Sequence, residues 1–249
     1  MRLSRRGFMA GLVACPICAA LAEAEGAAHW SYEGHGGPGD WGSLDQTYKA
    51  CSIGSQQSPV DLKGPLPAQV GALHIDWRPE AYTILNNGHT IQANVTNKDT
   101  VKLGDTVYEL KQFHFHHPSE HAVKGERRSM EIHFVHAHPN GNLAVVGVFV
   151  TAGARNAEFA KIIAAAPTTE GEKTLRAPIN PNRLLPKNRI RFRYEGSLTT
   201  PPCSEVVDWN VFEHPIEADE ADIARFKAIF PMNARPIQTT GRRFLLKGV

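Results

Sequence analysis

Three things are scarce in this chain of 249 residues: cysteine, with four; excess charge, with a formal net of +2; and long uncharged runs. Four cysteines do not make a disulfide-dense scaffold. Twenty-seven basic side chains against 25 acidic ones remove the electrostatic case for a nucleic-acid partner. The uncharged runs stop short of the ~20 apolar residues that span a bilayer, so no membrane span is expected. Beyond about Ala27 there is also no linker, repeat or low-complexity tract. The 42% of hydrophobic residues suffices for a sizeable core. Histidine is plentiful, with 12, several of them in one short stretch.

The chain opens Met1-Arg2-Leu3-Ser4-Arg5-Arg6-Gly7-Phe8-Met9, and an uncharged segment then runs from Gly7 to Ala22. A positive start, a short apolar segment and small residues at its end are the marks of an export signal. Ser4-Arg5-Arg6-Gly7-Phe8 resembles the twin-arginine (Tat) motif of bacteria, so the expectation is a cleaved signal over residues 1–24 and a periplasmic mature domain over 25–249. Cleavage after Ala22 or after Ala24 satisfies the small-x-small rule. Leu12-Val13-Ala14-Cys15 can instead be read as a lipoprotein site with Cys15 as anchor. Cys15-Pro16-Ile17-Cys18 has redox spacing but lies in the segment to be removed. Cys51 and Cys203 remain, and in an oxidising compartment they are expected to pair, the alternative being two buried thiols.

After the leader, short alternating segments dominate: Leu73 to Trp77, Tyr82 to Leu85, His89 to Val95, Gln112 to His117, Met130 to His136, Leu143 to Thr151, Arg189 to Tyr194 and Val207 to Phe212. Gly, Pro and Asn cluster between them, and His138-Pro139-Asn140-Gly141-Asn142 reads as a turn between two strands. Helical periodicity is confined to Asn156 to Ala165 and Asp219 to Phe230. The fold class expected is mostly β, a single domain around a large, mainly antiparallel twisted sheet with short peripheral helices. Arg189, Arg191 and Arg193 alternate with Ile190, Phe192 and Tyr194, which reads as a half-buried strand. Asn94-Val95-Thr96 matches a glycosylation sequon but reads here as strand sequence.

In Gln112-Phe113-His114-Phe115-His116-His117, alternation sends His114 and His116 to one face and Phe113 and Phe115 to the other. Met130 to His136 alternates in the same way and places His133 with Glu131 and Val135. If the two strands lie close in one sheet, three imidazole nitrogens converge. Three neutral histidines with a fourth position open suit zinc. No cysteine lies nearby, which argues against blue copper and against a closed structural zinc site. A rival is the manganese or iron motif of cupins, which His114-x-His116-x-x-x-Glu120 and His136-x-x-x-Asn140 imitate. Pro118 interrupts the strand before Glu120, and the glycines and prolines expected around the cupin motifs are missing.

At this point the sequence resembles a named family, the α-class carbonic anhydrases, over nearly everything after the leader. The strings that carry the resemblance are His29-Trp30-Ser31-Tyr32, Gln57-Ser58-Pro59-Val60-Asp61, Asn86-Asn87-Gly88-His89, Gln112-Phe113-His114-Phe115-His116, Ser119-Glu120-His121, Glu131-Ile132-His133-Phe134-Val135-His136, Gly196-Ser197-Leu198-Thr199-Thr200-Pro201-Pro202 and Asn233-Ala234-Arg235-Pro236. The resemblance implies a zinc enzyme that hydrates carbon dioxide to bicarbonate and a proton, with His114, His116 and His133 as ligands. It implies that Thr199 accepts from the attacking hydroxide and donates to Glu120, and that His89 shuttles protons to buffer. Tyr32, Asn87 and Gln92 would order the intervening waters. Val135, Val145, Leu198, Thr200, Val207 and Trp209 would line the substrate pocket. Gln112 and Glu131 would orient ligand rings, and His121 would be a structural partner of Glu120.

Departures from the vertebrate pattern are His117 in place of an aromatic residue, Gln92 where asparagine is usual, and a very short connection from His117 to Ser119. Cys51 and Cys203 match the half-cystines of bacterial members. Two other classes compete with the enzyme: a catalytically inactive binding module, although inactive relatives usually lose a zinc histidine and all three are here, and the cupin-like metal enzyme. A monomer or a homodimer is expected.

Overall fold

A computed structural model describes residues 28–248 of the protein. The leader read at residues 1–24, with Cys15, Cys18 and both cleavage sites, lies outside the described residues. Fourteen strands follow in chain order. They are β1 (Leu66–Pro67), β2 (Leu73–Asp76), β3 (Thr83–Asn86), β4 (Ile91–Asn94), β5 (Thr100–Leu103), β6 (Thr106–His116) and β7 (Ala122–Val123). Then come β8 (Glu126–Arg127), β9 (Met130–Ala137), β10 (Leu143–Ala152), β11 (Gly171–Thr174), β12 (Arg191–Gly196), β13 (Val207–Ala218) and β14 (Leu246–Gly248). Helices are short: α1 (Trp41–Leu44), α2 (Ala50–Ile53), α3 (Ala157–Ala165) and α4 (Glu220–Ile229). No described helix is long and apolar enough to cross a membrane.

Twelve strands form one sheet in the order β1-β14-β12-β13-β10-β9-β6-β4-β3-β11, with β2 and β5 joining at β6. Pairing is antiparallel except at β10–β13 and β1–β14. The mostly-β expectation holds. The central strands β9 and β10 are buried along nearly their whole length, because both faces of the sheet are covered. Alternation sorts their side chains. Ile132, Phe134, Ala144, Val146 and Val148 enter a large core with Phe113, Phe115, Phe159 and Phe226. Val135, Leu143, Val145 and Phe149 turn the other way, to a smaller cluster with Val207, Trp209 and Val211.

The helices close the larger core. Asn156 caps α3 by accepting from the Glu158 and Phe159 amides, and the helix buries Phe159, Ile162 and Ile163. Asp219 caps α4 by accepting from Ala221, and Ile223 and Phe226 face inward. The His138–Asn142 turn joins β9 to β10, with Gly141 at φ +93° where a side chain would be strained.

Several strands run longer than alternation suggested. β6 begins at Thr106 rather than near Gln112, because Gly104, at φ +57°, turns β5 back onto it. β13 continues past Phe212 to Ala218 with Pro215 inside it, and the register with β10 shifts between Val148 and Val150 at that point. A proline lacks the N–H that a ladder needs, so the strand bulges there and then resumes. The four-residue helices α1 and α2 are too short to leave a periodic trace. They pack Trp41 against the Cys51–Cys203 disulfide, which joins positions 152 apart.

His136 lies on the core side of β9, fully buried, stacked on Trp77 with ring centroids 5.5 Å apart and with Nδ1 3.1 Å from the Ala144 carbonyl oxygen. Burial pushes its pKa down to about 3. An unfolded histidine titrates near 6.5, so as pH falls below that value the unfolded state takes up a proton that the folded state refuses. Stability conferred by the neutral ring is therefore full above about pH 6.5 and declines down to about pH 3. His136→Phe is expected to make the loss of stability between pH 6.5 and 4 shallower by up to about 1.4 kcal/mol per pH unit. Urea unfolding across that range measures it, and an unchanged slope would refute the assignment.

Candidate metal centre

Register brings the histidines together. In the β6–β9 ladder His114 is opposite His133 and His116 is opposite Glu131. Ring centroids of His114, His116 and His133 are 4.6 to 5.3 Å apart pairwise, and one ring nitrogen from each lies within 4.8 Å of the others. His116 and His133 are 1% exposed.

Which nitrogens converge follows from what holds the opposite side of each ring. His114 Nδ1 is 2.8 Å from Gln112 Oε1, and His116 Nδ1 is 2.7 Å from the main-chain oxygen of Asn233. Both partners are acceptors, so both Nδ1 atoms carry hydrogen and each Nε2 keeps its lone pair. His133 is reversed: its Nε2 donates to Glu131 Oε1 at 2.9 Å, leaving Nδ1 to face its neighbours. Burial, reinforced by His116 and His133, holds His114 well below the ordinary histidine pKa, and burial outweighs the nearby Glu120 to lower His116 as well. The rings of His114 and His116 are therefore neutral and offer lone pairs. His116 Nε2 is buried with no hydrogen-bond partner. An orphaned nitrogen inside a set of three imidazoles fits zinc, whose usual ligands these are.

Glu131 anchors the arrangement. Besides His133 it accepts from the His121 main-chain N–H and from His121 Nδ1, each at 2.8 Å. Burial alone would raise its pKa, but the electrostatic pull and hydrogen bonds of His121 and His133 outweigh that and hold it well below the ordinary value. Gly147 lies opposite His133 in β10, and a Cβ there would come to 3.0 Å from Glu131 Oε1. His121 is thus a partner of Glu131, and through Nε2, 2.7 Å from the Tyr194 hydroxyl oxygen, of Tyr194. That corrects the expected pairing of His121 with Glu120. His121, Glu131 and His133 also cluster tightly enough to suggest a second metal group, but those atoms are already hydrogen-bonded to one another.

Glu120 is completely buried. Its Oε1 accepts from the Arg235 main-chain N–H at 2.8 Å, while its Oε2 lies 3.6 Å from His116 Nε2 and 3.8 Å from His133 Nδ1 and has no hydrogen-bond partner. The hydrogen bond from Thr199 that the resemblance implies is therefore not formed in this structure. Thr199 is buried and Thr200 half-buried in a loop tied by the Cys203 amide donating to the Thr200 carbonyl and the Leu198 amide donating to the Ser204 carbonyl.

Three adjacent strands assemble an apolar wall. Val145 of β10 pairs with Val135 of β9 on one side and with Trp209 of β13 on the other, and Val207 and Leu198 pack in the same cluster. The Trp209 ring meets that of His133 edge to face at 4.8 Å. At the other end His89 stacks on Trp30, rings 3.8 Å apart and 8° from parallel, and Tyr32 meets Trp30 edge-on. Burial, then the charge of Glu120, raises the Tyr32 pKa well above its ordinary value. Asn87 Oδ1 accepts from the His89 and Thr90 amides, so part of that side chain shapes the turn carrying His89. Gln92 is opposite His114 in the β4–β6 ladder and donates to Asn94 Oδ1.

Three contributors escaped the local strand pattern because they reach the site from distant parts of the chain: Tyr194 through its hydroxyl from β12, Arg235 through its main-chain N–H, and above all Asn233. Asn233 holds His116 with its carbonyl, accepts from the His117 amide through Oδ1, and donates through Nδ2 to the His89 and Phe115 carbonyls. Its one sequence signal was membership of the Asn233-Ala234-Arg235-Pro236 string. The cupin reading fails on geometry, since His136 points to the opposite side of β9 from His133. Asn233→Ala removes three side-chain hydrogen bonds, one of them fully buried, and loosens the anchor of His116. It is expected to lower zinc affinity about 10- to 100-fold, read by competition with a chelator, and to destabilise the fold by a few kcal/mol, read by urea unfolding. Unchanged zinc affinity would show that the His116 ring is held by strand geometry alone.

Comparison with known proteins agrees with this geometry. The family model for eukaryotic-type carbonic anhydrase matches residues 36–245. The chain is 40% identical to a carbonic anhydrase of Klebsiella pneumoniae, over 89% of this chain and 92% of that one. It is 41% identical to a carbonic anhydrase of Nostoc sp., over 89% and 86%. Among solved structures, the α-carbonic anhydrase of Thermovibrio ammonificans in complex with the inhibitor sulfanilamide superposes with a TM-score of 0.87 at 41% identity, over 89% of this chain and all of that one. A sheet of this order, three converging imidazoles at its centre and sequence likeness along most of the chain lead to one assignment: the protein belongs to the α-carbonic anhydrase family of enzymes.

Proposed function

We propose that the protein interconverts carbon dioxide and bicarbonate with zinc held by His114 Nε2, His116 Nε2 and His133 Nδ1, and that it works in the periplasm after Tat export. The observation that carries the reading is the convergence of three lone pairs, each defined by an acceptor behind its ring. Bound there, zinc supplies the Lewis acidity that makes water a nucleophile near neutral pH.

The chain's own residues do the rest. Gln112, Asn233 and Glu131 keep the three rings in the ligating tautomer. Glu120, buried beside them with an unused oxygen, can only accept when ionised, so a hydroxyl that approaches it must donate. We assign that hydroxyl to Thr199, which then turns a lone pair toward the reacting water and fixes its orientation. Val135, Val145, Leu198, Val207 and Trp209 give a nonpolar substrate an apolar surface to rest on, with Thr200 at its edge. His89, half-buried on Trp30, carries protons outward, because imidazole is the side chain that ordinarily titrates near neutral pH. Tyr32, Asn87 Nδ2 and Gln92 Oε1 are the polar groups assigned to order water along that path.

Stopped-flow hydration of carbon dioxide is expected to show activity that a zinc chelator abolishes. His89→Ala should slow turnover in weak buffer and be partly rescued by added imidazole. Chelator-insensitive activity would overturn the zinc assignment, and unaltered kinetics in the variant would remove His89 as shuttle.

Tat export requires folding and zinc uptake in the reducing cytoplasm, before the Cys51–Cys203 bond can form. A Cys51→Ser, Cys203→Ser variant should therefore still fold, bind stoichiometric zinc and reach the periplasm. Its Tm should be lower, since the lost bridge is worth up to about 5 kcal/mol for so long a loop. Failure to fold, or export that survives Arg5→Lys, Arg6→Lys replacement unchanged, would contradict the route.

A further inference from the structure

The arginine series that runs from Arg189 into β12 finds no use in the reaction, and its members are not equivalent. Arg193 is neutralised: its Nε and Nη2 donate to the two carboxylate oxygens of Asp208 at 3.0 and 2.7 Å. Arg191 and Arg189 form no ion pair with any described carboxylate. Arg191 is only 2% exposed, lies opposite Phe212 in the β12–β13 ladder, and uses Nε on Asn210 Oδ1 and Nη2 on the carbonyls of Val70 and Gly71. Its Nη1 donates to no protein acceptor and is not among the sealed orphan atoms, so its two N–H groups open outward. They open into a groove of about 730 Å³ lined by Gln69, Gly71 to Ile75, Asn182, Arg189, Arg191 and Phe212. The Arg189 guanidinium lies over the Phe212 ring, 5.4 Å from its centroid.

No carboxylate lines the groove. Nearby acids are engaged: Asp208 with Arg193, and Glu213 with Lys247. Burial, then the neighbouring Arg193, lowers the Arg191 pKa to about 10, which leaves it charged at neutral pH. Asp208 acts on Arg191 only through space while it pairs with Arg193, and a buried cation without a paired carboxylate of its own is costly, a cost relieved by an anion that reaches its free Nη1. The free Nη1 offers two N–H donors from one nitrogen, and such charged donors favour an anionic oxygen. Ala72, Leu73, Ile75 and Phe212 give the wall an apolar stretch beside the polar Gln69, His74 and Asn182, and the groove is far larger than an inorganic oxyanion requires.

We propose that this groove binds a small organic carboxylate, its anionic end on Arg191 Nη1 and Arg189 and its apolar body along Leu73, Ile75 and Phe212. The site lies apart from the metal centre, because Phe212, Leu73 and Ile75 belong to the core on the opposite side of the sheet from Val135 and Trp209.

Benzoate, bicarbonate and inorganic phosphate are titrated into the zinc-loaded enzyme while the side-chain N–H signals of Arg189 and Arg191 are followed by NMR. Benzoate is expected to shift both arginine signals with an affinity at least tenfold above that of bicarbonate or phosphate. Arg189→Gln, at an exposed position that should not disturb folding, is expected to weaken benzoate at least tenfold. Ala72→Trp, which fills the groove from its exposed rim and leaves both arginines in place, is expected to abolish the shifts. Carbon dioxide hydration should be unchanged in both variants. Benzoate binding that persists in Ala72→Trp, or no shift of either arginine in the native protein, would overturn the proposal. Phosphate or bicarbonate binding as tightly as benzoate would overturn the organic carboxylate as occupant.

Discussion

Register between β6 and β9 is the constraint on which the site depends. Side chains alternate with a period of two, so a slip of one residue would send His114, His116 and His133 into the phenylalanine core and bring Phe113, Phe115 and Phe134 to the candidate metal site. The aromatic side of the two strands guards against that slip. Phe113 pairs with Phe134 and Phe115 with Ile132, and the large core accepts those residues and not imidazoles that need a lone pair exposed. The same packing that stabilises the sheet therefore orients the ligands on its other face.

A second layer turns position into chemistry. Three different acceptors stand behind the rings: a side-chain amide two residues along the strand, a carboxylate two residues along the neighbouring strand, and a main-chain carbonyl more than a hundred residues away. Glu120 and Glu131 are equally buried, yet they are placed for different work. Glu131 is saturated by His121 and His133 and holds geometry, whereas Glu120 keeps one oxygen uncommitted beside the ligating nitrogens. Arg235 connects this interior to the disulfide. Its main-chain N–H meets Glu120, and its guanidinium donates to the carbonyls of Cys51 and Ser58 and lies over Trp41.

The two faces of the sheet carry different polar devices. On one, carboxylates and amides orient histidines; on the other, a guanidinium that pairs with no carboxylate opens into a groove. One strand pattern, alternating arginines with Ile190, Phe192 and Tyr194, contains a neutralised arginine and two uncompensated ones, and its sequence does not distinguish them. Asp208 decides the difference, and it comes from the neighbouring strand β13.

The mostly-β class, the two capped helices, the β9–β10 turn and the shared face of His114, His116 and Glu131 with His133 were legible from the chain, because they follow from local periodicity and local turn chemistry. The roles attached to Glu120, Thr199 and His89 came from resemblance alone, since nothing in their immediate neighbours signals them. Tertiary structure decided what local pattern cannot encode. It paired β6 with β9 in one register and β10 with β13 in parallel, moved His121 from Glu120 to Glu131, and brought Asn233 and Arg235 from the far end of the chain against His116 and Glu120. Side-chain alternation is a property of a strand by itself, whereas a hydrogen bond between residues more than a hundred positions apart exists only once the whole sheet has closed around it.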